Sequence, residues 1–151
     1  MSQHLKNLTN KNTLISNISF KTKCYRKNFD LTIPDEHIIT EYEGEISLLR
    51  IDEKKLPKII GEYSFSVWDI NLGEFLNINI NELFDIQSDN VSYSNMISLI
   101  NNNEFDYKKY NKILFIHNLI IKEEFRKAEI GEEFIENIYR DYYNENTAII
   151  F

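Results

Sequence analysis

The stretch that decides the fold is Ile113–Tyr142, ILFIHNLIIKEEFRKAEIGEEFIENIYRDY. It opens with an apolar run, Ile113–Ile121, bounded by charged residues and long enough for a strand buried on both faces. KEEFRKAE follows as a short charged turn. From Ile130 the apolar positions Phe134, Ile135, Ile138, Tyr139 and Tyr142 recur at helical spacing, which predicts an amphipathic helix. NENT breaks that helix, and AIIF, Ala148–Phe151, reads as a final short strand. Strand, helix and strand in this order imply a crossover joining parallel strands, a connection that is nearly always right-handed.

Outward from this unit the signals weaken. EGEISLLRID, Glu43–Asp52, alternates well enough for a strand, with Ile46, Leu48 and Arg50 on one side. GEYSFSVWDIN, Gly61–Asn71, sets Tyr63, Phe65 and Val67 against Ser64, Ser66 and Trp68. Pro57 and Gly61 suit a connection between the two, so an antiparallel pair is expected, each strand with one face buried. Between Asn81 and Asn103 the apolar positions fit one or two helices, and Asn101–Asn111 reads as a polar connector. Residues 1–20 read as an arm or a short first element, followed by one domain over 21–151 with no visible repeat. The fold class expected is α+β, with a mixed, mainly antiparallel sheet flanked by helices.

Composition narrows the function. With 151 residues, 42% hydrophobic and 13% aromatic, the chain can bury a core rather than remain disordered. A net charge of −7 argues against nucleic acid as a partner, since phosphate neutralisation needs clustered Lys and Arg, and is compatible with a cationic small substrate. Cys24 is the one cysteine, which leaves no intrachain disulfide or Cys-rich zinc site; Lys23, Arg26 and Lys27 beside it could sharpen a thiol, but a plain thiol is the expectation. Acidic residues are scattered and no His-x-x-x-His pair occurs, so no metal is expected. The polar N-terminus lacks a signal peptide's apolar run and no stretch suits a membrane span, so a cytoplasmic protein without a membrane partner is expected. The Asn-x-Ser/Thr triplets at Asn7, Asn17 and Asn90 are then chance matches.

The chemistry concentrates in the turn FRKAEIGEEF, Phe125–Phe134. A helix N-terminus presents unpaired N–H groups and a partial positive charge, so it attracts anions. Arg126 and Lys127 add formal charge just before the helix, and Gly131 removes a side chain from its first turn. A P-loop and a dinucleotide fingerprint are both excluded, the first by sequence and the second by a single glycine where three are needed. His117 lies on the apolar strand, and a neutral imidazole is suited to moving protons near pH 7. Its bland alternative is a hydrogen-bonded core histidine. His4 and His37 have no convincing partners, and no nucleophile elbow is present.

LIIKEEFRKAEIG resembles the acetyl-coenzyme A signature of the GNAT superfamily of N-acetyltransferases: a buried strand, a polar turn, then Arg/Gln-x-x-Gly-x-Gly/Ala opening a helix. Ile121 matches the final aliphatic position, Phe125 the aromatic before the Arg, Arg126 the leading Arg and Gly131 the closing Gly. The order of elements from about Glu43 to Phe151 is similar to that family's as well. The resemblance implies a GNAT-like (acyl-CoA N-acyltransferase) fold and acetyl transfer from acetyl-CoA to a small-molecule or peptide amine. Backbone groups of Leu119, Ile120 and Ile121 would pair with the pantetheine arm. Those of Arg126, Lys127, Ala128, Glu129, Ile130 and Gly131 would hold the pyrophosphate. His117 matches a strand position where some members place a histidine near the acceptor, which makes it the best candidate for the base that takes the amine's proton.

Two departures accompany the resemblance. Glu129 stands where the signature has its first glycine. A left-handed backbone there would cost a non-glycine residue about 1–2 kcal/mol. A carboxylate about 5 Å from a phosphate charge would repel it by about 3 kcal/mol at an effective dielectric of about 20. Family members also continue past the final strand with a helix and a strand pair, so a form shortened at the C-terminus is expected. No tyrosine can then be carried over as general acid, and a homodimer is one way to cover the open edge. The alternative reading is a catalytically impaired scaffold serving as a binding, regulatory or interaction domain.

Overall fold

The structure, a computed structural model, describes residues 18–25, 38–49, 56–87, 93–142 and 146–151. In chain order these form strands β1 (Ile18–Tyr25), β2 (Ile39–Leu48) and β3 (Lys58–Asp69), then helices α1 (Ile70–Phe75), α2 (Ile80–Gln87) and α3 (Ser94–Asn101). A 3-10 turn at Tyr107–Lys109 leads to β4 (Lys112–Ile121), and a second at Glu123–Phe125 leads to α4 (Ile130–Tyr142) and β5 (Thr147–Ile150). The class is α+β, as expected, with one mixed sheet of order β1-β2-β3-β4-β5.

Strand directions follow from the contacts. Tyr42 stacks on Phe65 at 4.9 Å between centroids, and a Cβ on Gly44 would meet Tyr63 while one on Gly61 would meet Ile46. The numbers rise along β2 as they fall along β3, so the pair is antiparallel. β4 and β5 are parallel, in register from Lys112 opposite Thr147 to Phe115 opposite Ile150. This is the strand–helix–strand crossover expected from the sequence. Asn146 enters β5 with φ of 65°, a conformation that asparagine tolerates better than most residues.

Several boundaries differ from the sequence reading. β2 begins at Ile39 rather than Glu43, and Arg50 lies outside the described residues. β3 starts at Lys58 and stops at Asp69, because the Asp69 carboxylate accepts from the Leu72 N–H at 2.9 Å and caps α1. β3 is also buried on both faces, not one: Phe65 on one side and Ser66 and Trp68 on the other are fully covered. β4 is buried on both faces only at Ile113–Ile116; beyond that, Ile120 is 47% exposed. The apolar run outlasts the layers that cover it. Residues 1–17, with His4, Asn7 and Asn17, lie outside the described residues, as do Arg26, Lys27, His37 and Asn90.

The chain divides into two compact units. One contains the described parts of Met1–Lys23, Glu43–Tyr63 and Asn118–Tyr143. Its core is aromatic: the rings of Tyr63 and Phe134 lie 4.7 Å apart, with Phe20 6.1 Å from Phe134. Ile130, Phe134 and Ile138, each four residues from the next, form the buried line of α4, while Tyr139 on the predicted stripe is 46% exposed. Gly44 is bare because any Cβ would strike the Tyr63 hydroxyl, which is hydrogen-bonded to Thr22 Oγ1 at 2.5 Å.

The other unit contains Cys24–Tyr42, Ser64–His117 and Asn144–Phe151 in their described parts. Trp68 stacks on Phe84 at 5.2 Å and meets Tyr93 edge-on at 5.1 Å. The apolar faces of α2 and α3 close over these rings with Leu83, Met96 and Ile97. Tyr107 joins the same core and donates its hydroxyl to Asn81 Oδ1 at 2.8 Å.

Candidate functional site

The turn between β4 and α4 is built by short local bonds. Lys122 N–H donates to the Ile60 carbonyl at 2.9 Å, which keeps the end of β4 on β3. Phe125 N–H donates to the Lys122 carbonyl at 2.9 Å and Arg126 N–H to the Glu123 carbonyl at 3.3 Å, closing the 3-10 turn. The Phe125 ring is buried and anchors this turn, with Lys58 Nζ 5.2 Å from its centroid. Lys58 also pairs with Glu124 at 3.4 Å, an exposed contact worth little by itself.

Arg126 folds back, and its Nε donates to the Ile121 carbonyl at 2.8 Å. One donor of the guanidinium therefore fixes its position, and the remaining ones keep their capacity for an anion. Lys127 beside it is exposed. Ala128 N–H donates to the Phe125 carbonyl at 3.2 Å. Glu129 then adopts φ of 59°, the left-handed region, and its carbonyl accepts from Glu133 N–H at 3.1 Å. This is the first bond of the helix, so the N–H groups of Ile130, Gly131 and Glu132 belong to the first turn, where no helical carbonyl reaches them.

The backbone at Glu129 thus has the conformation that a glycine would take without cost. Four non-glycine residues among those described have positive φ, and the other three are Asn77, Asn103 and Asn146. Glu lacks the short side chain that makes asparagine tolerant there, so the site carries about 1–2 kcal/mol of strain. Strain of this kind is held by the surrounding turn.

Gly131 presents the opposite case. Its φ is not positive, and outside its own helix an added Cβ would meet only Leu119 Cδ2, at 3.9 Å, an ordinary contact. Gly61 differs, because a Cβ there would stand 2.7 Å from the Ile120 carbonyl oxygen. Neither the backbone nor packing among the described residues of this unit requires glycine at 131, although glycine in a helix costs about 0.5–1 kcal/mol relative to alanine. Space is left above the first turn of α4. The acids of that region, Glu129, Glu132 and Glu133, already satisfy part of the helix's positive end.

Of the residues expected to form a cradle, Ile121 and Arg126 meet directly, and Leu119 faces Gly131. Ile130 is buried and serves the core, and Ala128 is half-buried. Ile120 is exposed, and β4 runs on through Ile121 past the Phe115 limit of its ladder with β5.

His117 belongs to the other unit, and its surroundings were not legible in the sequence. Its Nε2 lies 3.0 Å from Ser66 Oγ, and Trp68 Nε1 donates to the same oxygen at 3.2 Å. The ring meets Tyr93 edge-on at 4.9 Å and Phe115 at 4.8 Å. Tyr93 donates its hydroxyl to Glu41 Oε1 at 2.8 Å, so it presents ring rather than oxygen to the imidazole. Sequence reasoning missed Ser66, Trp68, Tyr93 and Glu41. One signal was available: Ser66 and Trp68 share a strand face, so a serine two residues from a buried tryptophan is placed to take its N–H.

Among the described residues no cluster of His, Cys, Asp or Glu is placed to hold a metal ion, and no helix is long and apolar enough to cross a membrane. Cys24 is an exposed free thiol. Comparison with protein families, with curated proteins and with solved structures returns no match for this chain.

Proposed function

We propose that the chain is a GNAT-like protein that binds acetyl-coenzyme A and transfers its acetyl group to an amine. The observation that carries the reading is Gly131, which destabilises its helix although no packing among the described residues requires a glycine there. A phosphate approaching the N–H groups of Ile130, Gly131 and Glu132 would account for it. The left-handed backbone at Glu129 supports the same reading, since it preserves a glycine conformation where the resembling signature has glycine. Arg126, tied to Ile121, would add a fixed positive charge. Bound acetyl-CoA would supply a thioester as acyl donor: the amine nitrogen would bond to the acyl carbon, the C–S bond would break, and the proton lost by the amine would end on the departing coenzyme A thiolate.

A second reading is favoured by the site's own charges and by His117. Glu129, Glu132 and Glu133 oppose a phosphate at the helix end. For His117 to act as base, Nε2 must take a proton, and the Ser66 hydroxyl must then turn away. Both features fit a scaffold that retains the fold with weakened binding or catalysis.

Thermal unfolding with coenzyme A decides between them. At a hundredfold excess over Kd, binding stabilises by about 2.7 kcal/mol, or about 5–11 °C for a protein of this size. No shift at millimolar coenzyme A would remove the coenzyme from the proposal. A shift without thiol release from acetyl-CoA, over a panel of amines, would leave the scaffold reading.

A further inference from the structure

The geometry points to a hydrogen-bond relay, Trp68 to Ser66 to His117, that commits His117 to the tautomer protonated on Nδ1. Ser66 is a polar side chain with 0% exposure. Among the described residues its Oγ has two side-chain partners, Trp68 Nε1 and His117 Nε2. An indole N–H can only donate, so Ser66 accepts from Trp68. The hydroxyl proton of Ser66 must then be donated, because a buried donor without a partner is costly. Among the described residues, His117 Nε2 is the acceptor in reach. A neutral imidazole that accepts at Nε2 carries its proton on Nδ1.

Ser66 is therefore a positioning residue, and Trp68 acts through it without touching the imidazole's nitrogen. The edge-on rings of Tyr93 and Phe115 hold the imidazole plane in place for this bond. In this state His117 has no uncommitted basic nitrogen: Nδ1 carries the proton and Nε2 accepts from Ser66. The consequence for acetyl transfer rests on the function proposed above: the proton of the amine would go to a group other than His117. The tautomer itself does not depend on that function.

The test is nitrogen-15 NMR of the histidine rings in the protein without coenzyme, at a pH where the rings are uncharged. Two-bond proton–nitrogen correlations distinguish Nδ1–H from Nε2–H. The relay requires His117 to show a protonated Nδ1 and an unprotonated Nε2; a predominantly Nε2–H ring would overturn it. In Ser66→Ala the Nε2–H form should gain population, because the donor at Nε2 is gone. In Trp68→Phe, Ser66 can accept from the imidazole, so the Nε2–H form should again gain. An unchanged pattern in either folded variant would break the relay at that residue. The wild-type measurement stands even where a variant fails to fold. Since no coenzyme is present, loss of the coenzyme reading would leave this result intact, and the reverse holds too.

Discussion

Gly131→Ala is expected to stabilise the protein while impairing the site. The gain comes from replacing a helical glycine, which is worth about 0.5–1 kcal/mol. Among the described residues nothing offsets it, since outside its own helix the new methyl would meet only Leu119 Cδ2 at 3.9 Å. For a chain of this size that corresponds to a melting temperature about 1–4 °C higher in the absence of ligand. With coenzyme A the sign reverses. A methyl intruding on a closely packed phosphate costs about 1–3 kcal/mol, which weakens binding by about 5- to 150-fold. Paired thermal melts with and without coenzyme A measure both terms on one sample. A lower melting temperature for the ligand-free variant would refute the claim that the space is open. A coenzyme-induced shift equal to the wild type's would refute the claim that a phosphate occupies it.

Other outcomes follow from the same geometry. Glu129→Gly relieves about 1–2 kcal/mol of left-handed strain but adds glycine's flexibility to the unfolded chain, about 0.5–1 kcal/mol. Its stability should therefore change little, while coenzyme A affinity measured by calorimetry rises by up to about two decades; unchanged affinity would mean that the carboxylate points away. Gly61→Ala places a Cβ 2.7 Å from the Ile120 carbonyl, backbone that cannot yield cheaply, and should destabilise by about 1–3 kcal/mol in urea unfolding. A neutral result there would show that β3 and β4 can separate without cost. His117→Ala strands the Ser66 hydroxyl proton, costing about 1–3 kcal/mol beyond the lost packing. Ser66→Ala strands the Trp68 N–H in either background, so it should cost less in that variant than in the wild type, where it also breaks the His117 bond. Strict additivity in that cycle would contradict the bond. Burial pushes the Tyr63 phenol above its ordinary value of 10.0, opposed by the Thr22 bond and reinforced by Asp141. The stability that this shift contributes is complete below pH 10.0 and is lost as pH rises through the elevated value. Chemical unfolding above pH 10.0 should fall less steeply in Tyr63→Phe than in the wild type.

Local pattern was sufficient for the elements whose neighbours lie close in sequence. The helical spacing of Phe134 and Ile138, the break after Tyr142 and the final apolar strand together specified a parallel pair, and Lys112–Phe115 pairs with Thr147–Ile150 as that pattern requires. The turn at Phe125–Gly131 was legible for the same reason, because its bonds span three to five residues. Pattern could not set the conformation of Glu129. A carboxylate residue before a helix is compatible with extended or left-handed backbone, and the turn anchored by Phe125 selects the latter. Nor could it separate a glycine that the protein needs from one that it does not. Gly61 is needed because Ile120, far along the chain, presses against it, and Gly131 is not, because none of the described residues does. His117 shows the limit most clearly. The sequence supplied an imidazole on a strand, but its proton is assigned by Ser66 and Trp68, a third of the chain away, through bonds that exist only once the strands are paired. Residue type and spacing determine which groups are available. Tertiary packing decides which of their lone pairs and protons are already committed.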